Sequence, residues 1–187
     1  MRDGTGKLLT LLALLGLAPH ALSEGAPPRS AGPVFEAWGA VHDEVDPDYM
    51  PPVDEYRVLF DVWVGPEDAT QPNPRLETLA RFMNMHARAG VEAEAMQLAL
   101  VIHGSAGRAA LTDEAYRKRF GTANPDRPLL DALAARGVRM MICGQSAAYR
   151  GYGKEEMIAP VDLALSAYSA IYGLQSEGYR LMPTWSP

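Results

Sequence analysis

One cysteine, Cys143, is all the thiol chemistry this chain of 187 residues possesses. An intrachain disulfide is therefore excluded, and the sulfur is either a small packed apolar group or is kept for chemistry or an intermolecular bond. Positive charge is scarce too: 17 Lys and Arg stand against 23 Asp and Glu, a formal net charge of −6. Nucleic acid and anionic membrane surfaces both need clustered cations, so neither is expected as a partner. No apolar run reaches the roughly 20 residues that span a bilayer. The longest, Leu8 to Ala18, follows Arg2 and Lys7 and leads to small residues at Ala21-Leu22-Ser23, the pattern of an export signal. Residues 1–23 are accordingly set aside from the fold. No cysteine stands after the apolar stretch to carry a lipid anchor. The expected location is periplasmic or secreted, with no membrane attachment after signal cleavage. Internal repeats are absent, as are a glycine-rich phosphate fingerprint after the first strand, a Ser-His-Asp arrangement and a two-carboxylate arrangement. No cofactor and no metal is expected.

What the chain does have is a proline-rich, acidic leader and then regular alternation. Residues 24–53 carry Ala26-Pro27-Pro28, Asp43-Glu44-Val45-Asp46-Pro47-Asp48 and Pro51-Pro52, which read as extended chain. Phe35, Trp38, Val41 and Tyr49 within it suggest docking on the domain or on a neighbouring subunit. From residue 54 to 187 the pattern predicts one α/β domain. Its strands are Tyr56 to Val64, Met96 to His103, Val138 to Ile142, Val161 to Leu165 and Tyr179 to Met182. Between them, helical spacing covers Arg75 to Ala89, a short charged stretch from Thr112 to Gly121, a segment opened by Asn124 as N-cap and Pro125, and a helix capped by Ser166. Near-continuous apolar strands alternating with helices describe a mostly parallel sheet covered on both faces. Ligands of such sheets bind beyond the carboxyl ends of the strands, and both His103 and Cys143 end theirs.

The chain resembles the DsrE-like proteins, which include sulfur-carrier subunits of DsrE/TusD type and exported homologues. The likeness runs from about Gly32 to Thr184. It rests on Phe60-Asp61-Val62, Val101-Ile102-His103-Gly104, Asn124-Pro125 with the helix to Gly137, Ile142-Cys143-Gly144-Gln145-Ser146, and Leu174-Gln175-Ser176-Glu177-Gly178-Tyr179. The resemblance implies a flavodoxin-like three-layer sandwich with a five-stranded sheet, assembled as a homotrimer or homohexamer. It also implies a persulfide-bearing cysteine at the end of the third strand, followed by small residues and an Arg-Gly pair. Cys143, Ala147-Ala148 and Arg150-Gly151 fall on those positions. The chain departs from the carriers in placing Gly144-Gln145-Ser146 directly after the thiol and in carrying an export signal.

A carrier needs a thiolate, because that is the nucleophile toward sulfane sulfur. A turn of helix over Ser146 to Arg150, stopped by Gly151, would aim its amides at the sulfur, and His103 or Arg150 could supply a cation. Gly104, Gly144, Gln145, Ser146, Tyr149 and Arg150 are the candidate ligand-binding residues around the two candidate catalytic residues, Cys143 and His103. Expected partners are further copies of this chain and a sulfur donor or acceptor. A different reading stays open, in which the protein is a non-enzymatic oligomeric binder of a small ligand and Cys143 is structural. His103 could equally serve only the strand end. Met83-Asn84-Met85-His86 has ligand types that suit Cu(I), but Met83 and Met85 point to different faces of a helix and Met83 continues the apolar stripe, so core packing is expected there.

Overall fold

A computed structural model describes residues 28–184; the export-signal reading of residues 1–23 lies outside them. The leader makes a two-stranded antiparallel pair, β1 (Arg29–Ser30) with β2 (Val41–His42). The main sheet comprises β3 (Tyr56–Val62), β4 (Met96–Ile102), β5 (Arg139–Cys143), β6 (Val161–Ala164) and β7 (Arg180–Met182). Its spatial order is β6-β5-β4-β3-β7 and every pairing is parallel. Flavodoxin itself has the order 2-1-3-4-5; here four strands run in succession across the sheet and the last returns beside the first. The helices are α1 (Glu77–Arg88), α2 (Asp113–Phe120), α3 (Arg127–Ala135), α4 (Gly144–Arg150) and α5 (Ala167–Ser176), with 3-10 turns at Gly104–Ala110 and Lys154–Glu156.

The period of two along each strand sorts the side chains into two layers. One face, with Val58, Phe60, Val62, Leu98, Leu100, Ile102, Met140 and Ile142, packs against Leu79, Ala80 and Met83 of α1 and Leu129, Leu130 and Leu133 of α3. The other face, with Leu59, Ala99, Val101 and Cys143, is covered by Ala167, Ala170 and Leu174 of α5. Among the described residues that second layer is a single helix. Tyr168 and Tyr172 on its outer side stay exposed, as do Trp63, Leu165 and Leu181 nearby.

The leader is tied down by one buried amide. Asn84 on α1 is fully buried; its Oδ1 accepts the N–H groups of Val34 (3.0 Å) and Phe35 (2.8 Å), and its Nδ2 donates to the carbonyls of Phe35, Trp38 and Gly39. Phe35 and Val41 are buried beside it and Trp38 packs on the same core, while Tyr49 is 74% exposed on this chain. Met83 lies in the core, as its place in the apolar stripe predicts, Met85 is exposed, and His86 stacks on Phe82 with its Nδ1 on that residue's carbonyl at 2.9 Å.

The helix expected to open at Asn124-Pro125 instead begins at Arg127, with Asp126 at its N-cap and Pro128 within its first turn. Asn124 has other work. Its Nδ2 donates to the carbonyls of Ala109 (2.8 Å) and Leu111 (2.7 Å), pinning the long 3-10 segment, while its Oδ1 accepts the Asp126 amide at 3.0 Å. Ser166 does cap α5, its Oγ accepting the Ser169 amide at 3.1 Å.

Candidate functional site

Parity places three polar groups on one face. Asp61 is in register with Val101, a residue of the α5 layer, so its side chain points to that layer too. Ile102 and Ile142 are partners in the opposite layer, and the next residue on each strand, His103 and Cys143, therefore turns toward α5. Asp61 and Cys143 thus stand at the carboxyl ends of β3 and β5, and His103 directly follows the end of β4 between them. Adjacent strands lie about 4.8 Å apart, so the side chains are neighbours across the sheet.

The sulfur of Cys143 is covered rather than open: the residue is 5% exposed. Burial pushes its thiol pKa upward, and this is outweighed by hydrogen bonds from the Ser146 amide and hydroxyl and from the Ala167 and Gln145 amides, so the net shift is downward. These donors come from the first turns of two helices, α4 and α5, that converge on the strand end. A thiolate accepting several N–H and O–H bonds is favoured over the neutral thiol. The helix-start amides expected from the sequence are present, but α4 begins at Gly144, directly after the thiol, which brings Gln145 and Ser146 nearer than a helix beginning at Ser146 would. The contribution of Ala167 was not legible, because it depends on β6 delivering the start of α5 to the same place.

Ser146 has a definite orientation. Its Oγ accepts the Gly104 amide at 3.1 Å, and its amide and hydroxyl are among the groups that lower the Cys143 pKa. Gly104 can approach because it has a φ of +55° and no side chain; a Cβ there would meet the Trp63 carbonyl oxygen at 2.4 Å. Gly144 is required by contact rather than by conformation, since a Cβ would meet the carbonyl oxygen of Ala164 at 2.6 Å. Of the other expected site residues, Gln145 sends its Nε2 to the Leu165 carbonyl at 3.2 Å, Arg150 donates Nε to the Gly104 carbonyl at 2.8 Å, and Tyr149 projects into solvent at 89% exposure.

His103 Nε2 lies 2.8 Å from Asp61 Oδ1, both side chains being about a quarter exposed. The hydrogen bond to Asp61 raises the His103 pKa; burial works against it, and the charges of Asp61 and Cys143 add to the rise. Cys143 is thus near enough to His103 to add to that rise. In the sequence Asp61 stands out only within the Phe60-Asp61-Val62 stretch. Its signal is a carboxylate one residue short of the end of an otherwise apolar strand, on the same parity as His103.

The model of the DsrE/DsrF-like family matches residues 58–183. The chain belongs to that family. The matched span contains the whole main sheet apart from the first residues of β3, and with it Asp61, His103 and Cys143. Among solved structures, a protein of unknown function, MTH1491, from Methanobacterium thermoautotrophicum is similar at 19% identity and a TM-score of 0.49, covering 69% of this chain and 99% of that one. The ychN protein from E. coli is similar at 14% identity and a TM-score of 0.48, covering 68% and 98% respectively. No curated protein sequence matches the chain.

Proposed function

We propose that this DsrE/DsrF-like protein carries sulfane sulfur as a persulfide on Cys143, as a member of the sulfur-relay type at the level of its family. What supports this reading best is the place of Cys143 at the end of β5, with α4 starting directly after it and α5 packed over it; Ser146, Ala167 and Gln145 at these helix starts hold the thiol pKa below its ordinary value in spite of burial. The Cys143 thiolate attacks the outer sulfur of a donor R–S–SH. The donor S–S bond breaks, a new Cys143 S–S bond forms, and R–S⁻ leaves with the electron pair, so no external oxidant or reductant enters. The same donors can hold the persulfide anion. His103, whose pKa is raised by its hydrogen bond to Asp61, stabilises that charge when protonated and can then protonate the departing thiolate.

The reading includes assembly into a homotrimer or homohexamer and an extracytoplasmic location. Exposed Tyr168, Tyr172, Leu165 and Leu181 on the thinly covered α5 face support the first. The second rests on the N-terminal pattern of charge, apolar core and small residues. Incubating the native protein with inorganic polysulfide and measuring intact mass tests the carrier function. A gain of one sulfur atom that disappears in Cys143→Ala is expected; no adduct on native protein, with ready reaction after denaturation, rejects it.

The low exposure of Cys143, among Leu59, Ala99 and Val101, favours one other reading: a non-enzymatic oligomeric ligand-binding protein with a structural cysteine. Under that reading Cys143→Ala costs stability and leaves ligand binding unchanged.

A further inference from the structure

The chain is acidic overall, yet three cations gather where the end of α2 meets the end of α4, the helix that starts directly after the thiol. A shallow, open depression is lined by Lys118, Arg119 and Phe120 from the end of α2, Tyr149 and Arg150 from the end of α4, and Tyr152. Arg119 is spoken for: it bonds the Glu156 carboxylate at 2.5 Å and the Gly151 carbonyl at 2.8 Å, and lies over the Tyr152 ring at 5.1 Å. Lys118 and Arg150 have no ion-pair partner among the described residues. Both are exposed, and Tyr149, next to Arg150 on α4, projects into solvent at 89% exposure.

This surface is coupled to the sulfur by a short chain of bonds. Arg150 Nε holds the Gly104 carbonyl, the Gly104 amide holds Ser146 Oγ, and the Ser146 amide and hydroxyl reach Cys143. The unpaired guanidinium edge thus lies within about a Debye length, ~8 Å at physiological salt, of the groups that surround the thiol. Open cations around a projecting tyrosine are what a protein interface presents, since Tyr and Arg dominate interface anchors and complementary charge sets the encounter rate. A small anion would find no walls in so shallow a depression to displace its water.

We propose that Lys118, Tyr149 and Arg150 form the docking surface for a partner protein that presents its reactive cysteine within an acidic segment and exchanges sulfur with Cys143. The proposal rests on the carrier reading above. It assigns Lys118 and Arg150 as specificity determinants and leaves the chemistry to Cys143.

Two synthetic heptapeptides test it, each with a central cysteine as the mixed disulfide with thionitrobenzoate, one flanked by Asp and the other by Lys. The Cys143 thiolate attacks the peptide sulfur, the S–S bond breaks, and thionitrobenzoate leaves with the electron pair and is read by its absorbance. The acidic peptide is expected to react about tenfold or more faster at low salt, with the ratio collapsing at high salt and in Lys118→Gln/Arg150→Gln. Arg150→Lys should retain most of the preference. Equal rates for the two peptides, or a preference that survives in the double variant, would overturn the proposal. A binding arm keeps the two readings apart. Fluorescence anisotropy with the acidic peptide carrying serine for cysteine should show binding to the wild type that is lost in the double variant, even if Cys143 proves inert; absence of binding by the wild type counts against the docking surface alone.

Discussion

The Nε2 atom of His103 lies 2.8 Å from Oδ1 of Asp61, across the junction of two parallel strands and on the face of the sheet that holds the only sulfhydryl. The pair is a local consequence of parity: Asp61 and His103 sit on adjacent strands, both directed toward α5. Its electrostatic consequence is a histidine that stays protonated to higher pH than usual.

Asp61→Asn should lower the pH at which His103 titrates, as followed by its imidazole NMR signals. The sign of the stability effect follows from a folded pKa raised above the unfolded one. The pair stabilises the fold fully below the ordinary histidine pKa, and that contribution is lost as pH rises through the folded value. The variant should therefore cost about 1 kcal/mol at pH 5 and less at pH 9, read by urea unfolding. A uniform loss at both pH values would mean that the pair serves packing alone.

Ser146→Ala removes a hydroxyl that is among the groups lowering the Cys143 pKa. One hydrogen bond to a charged group is worth about 1.5–3 kcal/mol, so the thiol should titrate roughly one unit higher and its alkylation at neutral pH should slow by as much as about tenfold. Ser146→Thr, which keeps the hydroxyl, should retain most of the rate. Unchanged reactivity in Ser146→Ala would exclude the hydroxyl from the thiolate's surroundings.

Asp126 offers a stability test remote from the thiol. Burial raises its pKa to about 6, against the Asn73 amide bond and the Arg108 charge, which lower it. Between the ordinary aspartate pKa and that value the folded state binds the extra proton, so stability falls as pH rises through this window. Asp126→Asn keeps an oxygen for the Asn73 amide, 2.6 Å from Oδ1, and removes the buried charge. It should raise stability at pH 7 by about 1–3 kcal/mol and have little effect at pH 4, a difference that thermal unfolding at the two pH values will measure.

Asn84→Leu should release the leader. The substitution leaves the Val34 and Phe35 amides and three carbonyls without their partner, at a cost of about 2–4 kcal/mol. Limited proteolysis should then cut between residues 28 and 53 well before the main domain; equal resistance in the variant would place the leader's anchorage in Phe35, Val41 and the bonds that the Arg88 guanidinium donates to the carbonyls of Ser30, Ala31 and Gly32 instead.

The sequence made the sheet legible because its strands are buried on both sides and read as apolar runs ended by glycine, as at Ile102-His103-Gly104 and Ile142-Cys143-Gly144. Helix starts were legible where the capping side chain acts locally, as at Ser166. Asn124 misled for the opposite reason: its side chain bonds Ala109 and Leu111, contacts that no local rule contains. The role of Asp61 and the Ala167 amide was hidden in the same way, since each reaches the site only through the order of the strands. Cys143 itself looked like an open rim position, and proves to be covered by α5 while still surrounded by polar donors.

The most direct measurement is the rate at which iodoacetamide alkylates Cys143 in the native protein as a function of pH. Complete modification is predicted, with a single ionisation whose midpoint lies below that of the same thiol in the denatured chain. Protection until unfolding, or a midpoint at or above the denatured value, would contradict the account.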